Sequence, residues 1–282
     1  EQGNVLQEPI RPNFWRAPID NDFGFGMPDR MEPWKKASQH QRLTSFTIEQ
    51  QQNGRTTALS RSQQTITDGS VRVRSTYALE GVNGSISVSY LLNSEGRIQV
   101  QNDLTGIPDT MPRIPRLGNN LVLKPAYDQV EWYGRGPHEN YRDRKTGALV
   151  GRYQSAVSEL LYPYIRPQEN GYRTDVREVI LKNKQGHGIA FAAAENLLSF
   201  SAHHQLNSDF DAGNQKLQRH TYDVPVRSLV NLNIDFMQMG VGGDNSWGAT
   251  PHEEYMIKPG SYSYGFIIRP LRTIVPRQAG GD

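Results

Sequence analysis

The sequence predicts an all-β fold, a large antiparallel sandwich, and three observations lead there. Short runs alternating apolar or β-branched residues with polar ones recur from Arg42 to Pro270, the period of strands with one buried face. Asn-Gly, Asp-Gly and Glu-Gly steps of the kind that close hairpins separate them. No stretch sustains a helical period beyond two or three turns. Strands this numerous pack as two sheets or close into a barrel, since a long open sheet leaves exposed edges. The sandwich is favoured, as a single domain over residues 1–282.

In chain order, EQGNVLQEPIRPNF is polar and lacks both an initiator Met and the basic-then-apolar form of a signal peptide. It runs into Arg11-Pro12-Asn13-Phe14-Trp15-Arg16-Ala17-Pro18, whose prolines and aromatics suggest a segment pinned against something. A domain of a longer polypeptide is expected. Pro33–His40 is one short helix candidate, and the region Ser155–Leu160 is another. RLTSFTIEQ (42–50), TTALSRSQQT (56–65), VRVRSTYAL (71–79), SISVSYLLN (85–93) and RIQVQNDLT (97–105) are read as a meander, with turns at Asn53-Gly54, Asp68-Gly69, Asn83-Gly84 and Glu95-Gly96. LVLKP (121–125) and QVEWYG (129–134) follow. The block from Gly134 to Arg177 is loop-rich like a linker, yet its aromatics argue that it is packed. REVILKN (177–183), IAFAAA (189–194), LLSFSAHHQ (197–205), LVNLNIDFMQMG (229–240) and SYSYGFIIRP (261–270) complete the strand set.

Composition narrows the chemistry. The 31 basic and 29 acidic residues nearly balance, so nothing draws the chain to nucleic acid. No apolar run reaches the roughly 18 residues of a membrane-spanning helix. The absence of cysteine excludes disulfides, thiolate metal sites and a Cys nucleophile, and leaves cytoplasm and periplasm equally open.

Several loops combine carboxylates, amides, Arg and an aromatic: Asp20-Asn21-Asp22-Phe23-Gly24, Gly136-Pro137-His138-Glu139-Asn140-Tyr141-Arg142-Asp143-Arg144, Pro167-Gln168-Glu169-Asn170-Gly171-Tyr172-Arg173 and Asp244-Asn245-Ser246-Trp247. Sugars are bound by such sets, because each hydroxyl donates and accepts while a pyranose C–H face lies on an aromatic ring. Trp247 sits in QMGVGGDNSWG, among glycines that cannot pack against it, so its partner must lie elsewhere. Glu139 and Glu169 are the carboxylates a glycosidase pair would draw on. Neighbouring arginines would keep both ionised, which suits bracing and not proton donation. His203 and His204 alternate faces on a strand, so at most one reaches any site and a metal pair is not expected. GVGGDN leads into Trp and not into a helix, which rules out a phosphate-binding loop.

FWRAPIDNDFG, WYGRGPHENYRDRKTGA, LYPYIRPQENGYRTDVRE and MGVGGDNSWG, with IPRLG (Ile114–Gly118), resemble in order and spacing the C-terminal, small-chain domain of the large β-galactosidases of the family-two glycoside hydrolases. The resemblance covers essentially the whole chain and implies a super-sandwich related to the galactose mutarotases. It implies that the catalytic glutamates lie on a barrel domain of the parent chain, that Mg and Na belong to other domains, and that this chain holds no catalytic residue, metal or cofactor of its own. Trp247 would be a platform for a β-galactoside such as lactose, beside Asp244 and Asn245. Asp20, Asn21, Asp22 and Gly24 would form a flexible active-site edge, although Phe25-Gly26-Met27-Pro28 departs from the commoner polar version. Glu139, Asn140, Arg142, Glu169, Asn170 and Arg173 would brace that face, and the parent is a candidate homo-oligomer. Two other readings stand beside it: an autonomous sugar-binding or assembly module, and an aldose mutarotase using His203 or His204 with a cleft glutamate.

Overall fold

The computed structural model describes residues 4–60, 69–245 and 247–271. The chain enters through β1 (Leu6–Asn13), passes the short helices α1 (Asp20–Gly24), α2 (Met27–Arg30) and α3 (Glu32–Gln39), and lays down β2 (Gln41–Gln52), β3 (Arg55–Ala58), β4 (Ser70–Leu79), β5 (Gly84–Leu92) and β6 (Ile98–Thr105). Then come β7 (Arg116–Leu123), β8 (Gln129–Gly136), β9 (Leu149–Ala156), β10 (Arg173–Val176), β11 (Glu178–Lys182), β12 (Gly188–Ala193), β13 (Leu198–His203), the one-turn α4 (Asn207–Phe210), β14 (Val230–Gln238) and β15 (Tyr262–Leu271). They form a ten-stranded sheet, β3-β2-β4-β5-β6-β15-β12-β11-β8-β9, and a five-stranded sheet, β1-β7-β14-β13-β10.

The two sheets pack face to face. Val100 and Leu104 from β6 and Phe266 and Ile268 from β15 share one apolar cluster with Leu121, Leu232, Ile234 and Phe200 of the smaller sheet. Rings join them directly, Phe236 stacking on Tyr264 at 5.5 Å and Trp132 meeting Phe200 edge-on at 5.8 Å. Along β6 burial alternates through Val100, Asn102 and Leu104, as a strand with one covered face should. Every residue of β13 is buried, and β14 is buried from Val230 to Asp235. Both faces of the small sheet are covered, and a polar layer occupies one of them, where Asn233 donates to Ser201 Oγ and Asn207 Oδ1, both at 3.0 Å.

The structure departs from the sequence expectation in several places. The N-terminal polar segment contributes β1, because its backbone completes the edge of β7 from Leu6 to Asn13. The pinned aromatics are real: Phe14 is fully buried and packs on Trp34 of α3 at 5.8 Å. Ser155–Leu160 is not a helix; Ser155 and Ala156 end β9, and Val157–Glu159 is one 3-10 turn whose Glu159 carboxylate accepts from Ser155 Oγ and Ala156 N. The linker-like block holds β9 and β10. The run 56–65 gives β3 as far as Ala58, and its last five residues lie outside the described residues, as does Asp68.

Candidate functional site

The expected flexible edge is instead helical and anchored. Arg16, fully buried, grips Asp22 through two contacts, Nη1 to Oδ2 at 2.5 Å and Nη2 to Oδ1 at 3.0 Å. Asp22 Oδ2 also accepts from Ile19 N at 2.7 Å, closing the first turn of α1. Asp22 is therefore a buried structural carboxylate and not an edge residue. Asp20 faces outward, accepting from Arg166 Nε at 2.7 Å and meeting Lys216 Nζ at 2.9 Å. Burial pushes its pKa up, but the hydrogen bonds from Lys216 and Arg166 outweigh this and hold it below the ordinary value. Asn21 is half-buried on the same turn. The apolar departure after Gly24 explains the helicity: Phe25, Met27 and Pro28 sink inward, and Gly26, at φ +73°, makes the turn between α1 and α2.

The arm that carries Trp247 leaves β14 across this helix. A Cβ on Gly24 would stand 2.7 Å from Gly248 N, so α1 and the arm touch backbone to backbone. Asn245 Oδ1 accepts from Trp247 N at 3.1 Å and Ala249 N at 3.2 Å, an Asx turn that folds the tip back. Asp244 is exposed and its Oδ1 meets His252 Nε2 at 2.9 Å; that hydrogen bond raises the histidine pKa. Trp247 is 80 % exposed. Ser246 lies outside the described residues. A surface depression of about 740 Å³ runs between the arm and the helices, lined in part by Phe25, Arg30, Asp244, Trp247 and His252.

Beneath the arm lies a buried polar buttress. Arg116, from the IPRLG run, donates to Glu169 Oε1 at 3.0 Å and to Gln238 Oε1, and its Nε lies 3.1 Å from Asp235 Oδ2. Glu169 is thus served by an arginine 53 residues away and not by its neighbour Arg173. Burial raises its pKa above the ordinary value despite the pull of Arg116 and Arg16. Burial likewise pushes Asp235 up to about 7 against the pull of Arg116. Arg173 donates instead to the carbonyls of Gly171 (2.6 Å), Pro137 (3.1 Å) and Leu160 (3.3 Å), and burial lowers its pKa to about 10.

The two Glu-Asn loops meet in this layer. Glu139 accepts from Arg144 Nη2 at 2.5 Å, Gly171 N at 2.7 Å and the Tyr164 hydroxyl. Asn140 Oδ1 accepts from Thr174 N and Oγ1 at 2.9 and 2.6 Å, and Asn170 links Tyr162 N to Gln168 O. Arg142 reaches Glu254 O at 3.1 Å. Arg116 and Gln238 stand in the runs IPRLG and QMGVGGDNSWG, but neither they nor Asp235 were given a role from sequence. His203 is 3 % exposed; burial, helped by Arg173, lowers its pKa to about 3, so it stays neutral. His204 Nδ1 meets Leu229 O at 2.7 Å. Neither imidazole lines the depression beside Trp247. Among the described residues no group of three or more His, Asp or Glu could hold a metal ion. The face therefore offers an exposed indole with polar groups around it above a buried polar foundation.

A family model described as the β-galactosidase small chain matches residues 1–268. A β-galactosidase of Priestia megaterium is 34 % identical over 96 % of this chain and 24 % of its own length. That of Streptococcus thermophilus is 31 % identical over 94 % of this chain and 24 % of its own. The chain thus spans about a quarter of the length of these relatives. An aldose epimerase homologue from C. elegans is similar in outline, 9 % identical with a TM-score of 0.35 over 79 % of this chain and 78 % of that one.

Proposed function

Since the chain belongs to the β-galactosidase small-chain family, we propose that it is one module of an enzyme that hydrolyses terminal β-D-galactosides such as lactose. The acid/base and nucleophile glutamates come, in this reading, from a barrel domain outside the chain. The module supplies Trp247 as an apolar platform at the edge of the sugar site. One observation carries this: a tryptophan left 80 % exposed at the tip of an arm whose root is bonded to Asp143 and whose tip is closed by an Asx turn at Asn245. An exposed indole on a fixed mount is an arrangement for meeting something from outside. Asp244 contributes the polar contact beside it. Asn245, whose acceptor oxygen already serves Trp247 N and Ala249 N, acts by shaping the turn.

The carboxylates within the chain fit a supporting part. Glu139 is committed to three donors, and Glu169 is sealed behind Arg116. In the complete enzyme, Trp247→Ala raises KM for lactose with folding intact. Loss of a stacking contact of about 1–2 kcal/mol corresponds to roughly a five- to thirtyfold change in affinity. An unaltered KM rejects the platform role.

A further inference from the structure

Gly24 meets the Trp247 arm on one side; the tether on the other is Asp143, a residue of the Gly136–Arg144 loop to which the sequence reading gave no role of its own. Asp143 lies 98 residues before Val241, in a tight turn where Tyr141 and Arg144 exchange backbone hydrogen bonds of 3.1 and 2.8 Å. A single oxygen, Oδ2, accepts from Val241 N at 2.8 Å and from Gly242 N at 2.7 Å. Two successive amides converging on one point make a concavity suited to an anion. Hydrogen bonds to a carboxylate are about twice as strong as those between neutral groups.

The glycines of the arm record the same approach. A Cβ at Gly240 would stand 2.6 Å from Asp143 Oδ2, and one at Gly242 3.3 Å from it. Neither glycine has a left-handed φ, so at 240 it is the nearness of the carboxylate that demands a residue without a side chain. The mount itself is stiff. Tyr141 is 2 % exposed and stacks on Tyr172 at 5.5 Å, while Arg144 lies over the Tyr141 ring and pairs with Glu139. Asp143 Oδ1 is buried without a hydrogen-bond partner, which leaves the two arm amides as the hydrogen-bond donors to this carboxylate among the described residues.

We propose that Asp143 is a positioning residue: through Val241 and Gly242 it holds the root of the arm so that Trp247 stands where a sugar ring can lie on it. The proposal rests on the platform reading of Trp247, and its test separates the two. The protein is labelled with 5-fluorotryptophan. Trp15, Trp34 and Trp132 are buried and serve as references, and the Trp247 resonance is assigned by its loss in Trp247→Phe.

Asp143→Ala shifts and narrows the Trp247 resonance and leaves the other three in place. In the complete enzyme it raises KM for lactose about three- to tenfold, because apparent affinity scales with the fraction of time the arm is correctly placed. That rise exceeds any change in kcat. Asp143→Asn keeps an acceptor oxygen and restores both readouts. In a Trp247→Ala background, Asp143→Ala adds nothing further to KM. Gly242→Ala, on an exposed residue, moves the resonance the same way by less and serves if Asp143→Ala does not fold. A Trp247 resonance unmoved in both variants overturns the proposal, as does a KM rise that persists without the indole. If Asp143→Ala moves the resonance while Trp247→Ala leaves KM unchanged, the tether stands and the sugar platform falls.

Discussion

Gly24→Ala separates the placement of Trp247 from its chemistry. The added Cβ would stand 2.7 Å from Gly248 N, 2.9 Å from Gly248 Cα and 3.0 Å from Trp247 C, all of them backbone atoms that cannot rotate away. Ordinary contact begins at 3.4 Å, so the arm must withdraw by about 0.7 Å. The helix cannot yield in its place, because Asp22 is locked to buried Arg16 and Phe25 is packed in the core. Alanine suits a helix better than glycine by up to about 1 kcal/mol, which offsets part of the roughly 1–3 kcal/mol that overpacking costs. The melting midpoint therefore moves by only a few degrees, at about 2–4 °C per kcal/mol for a domain near this size. Placement suffers more. A misplacement of 1 Å can cost about a hundredfold, so a withdrawal somewhat smaller than that lowers kcat/KM for lactose roughly tenfold, mostly through KM. Steady-state kinetics of the complete enzyme, with thermal unfolding in parallel, measures both. Unchanged kinetics refutes the reasoning, and so does an equal loss in a Trp247→Ala background, where no platform remains to be displaced.

Two further predictions concern the buttress. Asp235, raised by burial to about 7 from 3.8, keeps a proton in the native state that the unfolded chain has already released. The stability this confers is complete below pH 3.8 and is lost as pH climbs towards 7. Asp235→Asn, which cannot ionise, therefore gains on the native protein across that window by at most about 4 kcal/mol; urea unfolding that shows a pH-independent difference contradicts this. Glu139→Gln replaces one carboxylate oxygen by an NH₂, which faces either Arg144 and Tyr164, the partners of Oε1, or Gly171 N, the partner of Oε2, and destabilises the fold by about 1–3 kcal/mol, since a donor loses its acceptor. A loss below about 0.5 kcal/mol in denaturant unfolding would show that the carboxylate is not the hub of this layer.

Much of the strand inventory was legible because strand signals are local. The turns at Asn53-Gly54, Asn83-Gly84 and Glu95-Gly96 lie within a few residues of the alternating runs they join, and β4, β5 and β6 appear where those runs stand. Strands without alternation escaped more easily. β1 takes its form from pairing with β7, and β10 is a four-residue piece of a polar loop block. The candidate loops were legible as loops rich in carboxylate, amide and aromatic groups, but their partners were not. Nothing beside Asp22 announces that Arg16 will bury it, and nothing beside Glu169 points to Arg116.

Sequence alone determined that this chain is all-β and that Trp247 stands among residues unable to enclose it, because pleat periodicity, turn chemistry and the lack of glycine side chains all act over a few neighbouring residues. Tertiary structure decided which carboxylates are sealed and which are exposed, and which residue holds the arm. Asp143 meets Val241 and Gly242 across 98 and 99 residues, and Arg116 meets Gln238 across 122. Hydrogen-bond and ion-pair partners are set by what the sheets bring within about 3 Å, and no local pattern encodes that proximity.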